Sequence, residues 1–132
     1  MPMESSRELV KAYLRRADKA LASAKILLEH DKLEDSASRA YYAIFHAAQA
    51  ILTTKGLRAK SHKGVRILFE EHIIKKGIMS EEFHDYFDEA FDLRQLSDYE
   101  APKTMKKDQV KDIVIKAEKF VNAVRDLIKI EY

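Results

Sequence analysis

SRAYYAIFHAAQAIL, running from Ser38 to Leu52, is the stretch that decides the fold. Ala37, Ala40, Tyr41, Ile44, Ala48, Ile51 and Leu52 recur at steps of three and four, the spacing that lines side chains along one face of an α-helix. Tyr42, Ala43, Phe45, His46 and Ala50 make most of the opposite side apolar too. A helix that is apolar nearly all round is not left on the surface of a small protein. It is expected to face its own core on one side and a second copy of the chain on the other, giving a homodimer.

Four more helices flank it. Val10, Tyr13, Leu14, Ala17, Leu21, Ala24, Leu27 and Leu28 keep helical period up to His30 and Asp31, and Ser5 with Glu8 has the spacing of a capping box at the start. The outer face of this first helix, with Arg15, Arg16, Lys19 and Lys25, reads as solvated. The central helix starts around Leu33 to Asp35 and ends before Gly56, placed as a left-handed stop. A third helix runs from Ser61 or His62 to Lys75 with Gly77 as its stop, and Ser80 caps a fourth that ends between Leu96 and Glu100, ahead of Pro102. Thr104 caps the fifth, in which Val110, Ile113, Val114, Ala117, Phe120, Val121, Val124, Leu127 and Ile128 repeat. The expected fold is an all-α up-and-down bundle of about five helices, one domain over residues 1–132.

Composition narrows the function. Three glycines, two prolines, 46% hydrophobic and 35% charged residues favour a helical globular chain over a disordered or all-β one. The absence of cysteine rules out disulfides and thiol chemistry, and His30, His62, His72 and His84 show no HxxxH or HExxH spacing, so no metal and no cofactor is expected. No apolar run reaches the roughly 18 residues of a membrane span, and MPMESSRELV lacks a signal peptide's apolar segment, so the expected location is the cytoplasm, away from membrane. A net charge of +2 is too small to be a nucleic-acid footprint without a clustered site.

One candidate site lies at the end of the fourth helix. Its apolar stripe, Phe83, Phe87, Ala90 and Phe91, continues in register into Arg94 and then Asp98, with Tyr99 beside it. An arginine set among core positions at a helix end can hold a phosphate with its planar fork, or it can pair with Asp98 four residues on. On the central helix, Arg39, His46 and Thr53 are spaced at seven residues, with Tyr42 and Gln49 alongside, so they line a cleft or else contribute an interior histidine and a core tyrosine.

Three segments, SRAYYAIFHAA in the central helix, SHKGVR at Ser61 to Arg66 and DLRQLSDY at Asp92 to Tyr99, resemble the HEPN superfamily (higher eukaryotes and prokaryotes nucleotide-binding domain), in particular its small stand-alone prokaryotic group. The resemblance covers nearly the whole chain. It implies a homodimeric helical bundle that binds nucleotide or RNA and works with a minimal nucleotidyltransferase as a toxin and antitoxin pair. Many such domains are metal-independent ribonucleases with an arginine followed, after four to six residues, by a histidine. Arg94 matches that arginine, but the corresponding positions here hold Tyr99, Glu100 and Ala101. The resemblance implies Arg94 as the phosphate-holding residue, with Asp98 and Tyr99 beside it as the catalytic set if RNA is cleaved; together with the line of the central helix, the expected nucleotide- or RNA-binding residues are Arg94, Arg39, Tyr42 and His46. In some toxins of the superfamily a tyrosine near this motif is modified by the partner nucleotidyltransferase, and the resemblance offers Tyr99 for that role, at a different spacing.

A chain without thiolate or spaced histidine ligands should bind its ligand independently of metal. Binding measured before and after EDTA is expected to be unchanged, and its loss and recovery on adding zinc or manganese would contradict this.

Overall fold

The computed structural model describes residues 2–97 and 105–131. Helix α1 is Pro2–Glu29, α2 Leu33–Thr54, α3 His62–Phe69, α4 Glu81–Ser97 and α5 Lys107–Glu131, and a π-helical turn, Glu70–Ile74, continues α3. No strand occurs among the described residues. Paired contacts run in opposite order along the helices, Ser36 with Ala24 and Gln49 with Tyr13, Lys25 with Glu118 and Asp18 with Arg125, Glu89 with Lys116 and Phe83 with Phe120, so α1 is antiparallel to α2 and to α5, and α4 to α5. The result is an up-and-down bundle of four long helices, with α3 and its π turn forming the crossover from α2 to α4.

Helix ends follow the local chemistry. Three of them close with the same pair of backbone bonds, from the amides of Asp31 and Lys32 to the carbonyls of Leu28 and Leu27, and likewise from Gly56 and Leu57 and from Gly77 and Ile78. Gly56 and Gly77 both have φ of 72°, as their position in the sequence requires, and Asp31 takes the same role at 57°. Ser61 caps α3 by accepting the Gly64 amide, and Ser80 directly precedes α4.

Two starts differ from expectation. Helix α1 already runs at Pro2, so Ser5 lies inside it rather than capping it; proline's fixed φ and missing N–H suit the first helical turn. Helix α5 starts at Lys107, where Gln109 accepts the Lys106 amide at 3.2 Å, so its cap position is Lys106; Thr104 lies outside the described residues, as does Pro102.

Helix α2 contacts α1, α3, α4 and α5. Ser36, Ala37, Ala40, Tyr41, Ala43, Ile44, Phe45, Ala47, Ala48, Ala50, Ile51, Leu52 and Thr53 are all buried by the chain itself. The second apolar side of α2 thus needs no second copy to cover it, and burial no longer argues for a homodimer. Between Ser36 and Thr53 only Ser38, Arg39, Tyr42, His46 and Gln49 retain access to solvent, leaving one strip of α2 open.

In the core, Phe120 is fully buried and packs its ring against Phe69 at 5.3 Å, Phe83 at 5.9 Å and Phe87 at 6.0 Å. Phe120→Ala removes the shared partner of three rings and should destabilise the fold by about 3–5 kcal/mol, read from the urea midpoint at unchanged slope.

Candidate functional site

The apolar stripe of α4 faces α2, and this orientation carries Arg94 onto the open strip. Its guanidinium carbon lies 5.2 Å from the Tyr41 ring centroid and 5.1 Å from that of Tyr42. Each such contact is worth about 0.5–2 kcal/mol, more as water is excluded. Tyr42 also carries Arg39 over its ring at 4.8 Å, so one half-buried tyrosine holds two guanidinium groups. His46 is half-buried one turn further along. It contacts Tyr42 at 6.0 Å and stacks on Tyr13 at 6.5 Å, while Arg16 lies over Tyr13. Its Nδ1 is 3.4 Å from Gln49 Oε1, so His46 is both a hydrogen-bonded histidine and a member of the open strip.

Arg39, Tyr42, His46 and Arg94 are therefore brought together. Thr53 is buried, donates to the Gln49 carbonyl at 2.7 Å, and lines a cavity of about 390 Å³ with Tyr13, Gln49, Leu57, Arg58 and Lys60. Asp98 and Tyr99 lie outside the described residues.

Two residues of the site escaped sequence reasoning. His62, at the start of α3, stacks flat on Phe45 at 4.2 Å and 10°, and its Nδ1 lies 2.7 Å from the Tyr41 hydroxyl. Arg66, one turn on, lies 4.1 Å over Phe91 and pairs with Asp88 at 2.6 Å; Phe91 in turn packs on Tyr41. The segment SHKGVR holds both at a spacing of four, which is the signal that they share a face of α3. Arg16, read as solvated, stands at the edge of the same strip.

Electrostatics follow from burial. Enclosure pushes the Tyr41 phenol up to about 12, against the opposing pull of Arg94 and Arg66, so it is protonated at neutral pH. Burial and then the Arg94 charge hold His62 below the ordinary histidine value of 6.5. Burial also lowers His46, with Gln49 opposing and Arg16 and Arg39 assisting. The strip is thus aromatic and cationic, with both histidines neutral at pH 7. His84, 2.8 Å from Glu70 and 3.1 Å from Asp88, adjoins the site through Asp88, which also pairs with Arg66. Among the described residues no group of three or more His, Asp or Glu is placed to hold a metal ion.

The chain is thus an all-α bundle open along one cationic and aromatic strip. The model of the HEPN domain family matches residues 10–127, and the chain belongs to that family. It is 32% identical over 127 residues to a UPF0332 protein of Thermotoga maritima, covering 96% of each chain. Two proteins of Methanocaldococcus jannaschii, both named "Putative toxin", are 35% and 31% identical over 93% and 95% of this chain and 91% and 84% of their own. Among the described residues no helix is long and apolar enough to cross a membrane.

Arg94→Ala should raise the His62 pKa, because it removes a nearby positive charge that opposes imidazolium. A histidine titration by NMR reads the shift directly. In the parent protein, His46 and His62, with pKa values lowered by folding, should make stability fall as pH drops below about 6.5, since the unfolded chain then binds more protons.

Proposed function

We propose that the chain binds nucleotide or RNA on the strip formed by Arg94, Arg39, Tyr42 and His46, and acts with a minimal nucleotidyltransferase in a toxin–antitoxin-like pair. The observation that carries this reading is the Arg94 guanidinium laid over Tyr41 and Tyr42, on the one line of α2 open to solvent. Guanidinium groups favour phosphate oxygens, and exposed aromatic faces accept bases, the combination that serves single-stranded nucleic acid. Membership of the HEPN family and the names of the two relatives from Methanocaldococcus jannaschii support the toxin-like assignment. The homodimer and the nucleotidyltransferase partner belong to this reading through the family resemblance. The competing function, a metal-independent ribonuclease using Arg94 with Asp98 or Tyr99, predicts shortened RNA products.

Fluorescence anisotropy with a short labelled single-stranded oligoribonucleotide tests both. Arg94→Ala should weaken binding about tenfold or more, from loss of a charge-assisted contact worth about 1.5–3 kcal/mol, while helicity is retained. Unchanged affinity in a folded Arg94→Ala protein would refute the assignment, and cleavage of the oligonucleotide that Arg94→Ala abolishes would favour the ribonuclease.

A further inference from the structure

Resting on that reading, we propose that His62 is a second phosphate-binding residue of the Arg94 site, donating its Nε2–H to an oxygen of the same phosphate ester that Arg94 engages. The argument is geometric. His62 is partly exposed, and its ring plane is fixed by three neighbours: Phe45 stacked at 4.2 Å, Tyr42 edge-on at 5.9 Å and the Tyr41 hydroxyl 2.7 Å from Nδ1. Tyr41 and Tyr42 are also the two rings under the Arg94 guanidinium, so the imidazole and the guanidinium share one platform.

The tautomer follows from the partner at Nδ1. A wholly buried phenol needs an acceptor for its proton, and His62 Nδ1 lies 2.7 Å from the Tyr41 hydroxyl, so the assigned arrangement has Tyr41 donating to Nδ1. A neutral imidazole that accepts at Nδ1 carries its hydrogen on Nε2, the ring edge turned away from Tyr41. The edge available to a ligand is therefore a donor, and its basic lone pair is engaged elsewhere. Such a ring suits holding a phosphate oxygen rather than taking a proton from a ribose 2′-hydroxyl. Being neutral, it also adds a donor beside Arg94 without adding repulsion between like charges.

The titratable and charged groups around His62 are Tyr41, Tyr42 and His46 from α2, Arg94 from α4 and, one turn on in its own helix, Arg66, which pairs with Asp88. A bound phosphate adds negative charge to this set and favours imidazolium, so it should raise the His62 pKa. By linkage, affinity should then increase as pH falls from neutrality toward the pKa of the ligand-free protein.

The experiment measures binding of two probes, adenosine monophosphate and a short single-stranded oligoribonucleotide, to the full chain and to His62→Ala, His62→Gln, Tyr41→Phe and Arg94→Ala, with circular dichroism melts of each. Nitrogen-15 NMR of the imidazoles reads the tautomer. The expected results are an Nε2–H signal for His62, binding weakened about tenfold by His62→Ala, and substantial recovery in His62→Gln, whose amide keeps a donor. Loss with both probes identifies a mononucleotide phosphate as sufficient, whereas loss with the oligonucleotide alone identifies the RNA backbone; either supports the contact. An Nδ1–H tautomer, or His62 variants that bind normally while Arg94→Ala does not, would overturn the role of His62 and leave the Arg94 reading standing. If Arg94→Ala binds normally, or the parent chain binds neither probe, both fall. Should His62→Ala fail to fold, His62→Gln and the tautomer signal decide.

Discussion

Small side chains set how tightly this bundle can close around its central helix. Ala17, Ala20 and Ala24 of α1 and the six alanines from Ala37 to Ala50 of α2 are all buried, and short side chains at a helix contact permit a close approach. Close approach lets α2 be packed by every other helix at once, so that a sequence apolar on nearly all sides is satisfied within a single chain. What remains uncovered is the one line on which the sequence changes character, through Arg39, Tyr42, His46 and Gln49. The site is thus the complement of the core: it occupies the gap left by the packing of α1 and α4 on α2.

Within that gap, cations and rings alternate. Arg66 lies on Phe91, Phe91 on Tyr41, and Tyr41 shares Arg94 with Tyr42, which also carries Arg39. Flat guanidinium groups can stack this way while keeping donors in their own plane, which a compact, strongly hydrated lysine ammonium does not do. The arrangement concentrates positive charge on one side of a chain whose net charge is only +2, which explains why the total is a poor guide to the strip.

Helices and their stops were legible because they depend on neighbours in sequence. The apolar periods mark all five helices, and Gly56 and Gly77 announce their left-handed turns. The α4 stripe likewise placed Arg94 toward the core side. The start of α1 was misread because Ser5 and Glu8 satisfy a capping pattern that an earlier proline pre-empts. His62 was missed for a different reason: its partners Tyr41 and Phe45 belong to another helix, and no period connects them. The two-sided character of α2 was legible, but its meaning was not, because a pattern of apolar residues cannot say whether the covering surface comes from the same chain or another.

The bond between Tyr41 and His62 spans 21 positions and the contact of Tyr13 with Gln49 spans 36, while Arg94 reaches Tyr41 and Tyr42 from a later helix. Contacts this distant must each close a loop before they yield any stabilisation, and they form late compared with helical turns. The pairs of Arg39, Tyr42, His46 and Gln49 are local to α2, but the His62 and Arg94 contacts are not, so no segment ending before α4 carries the whole strip. A ribosome must therefore release α4 as well as α2 before the cationic surface is complete.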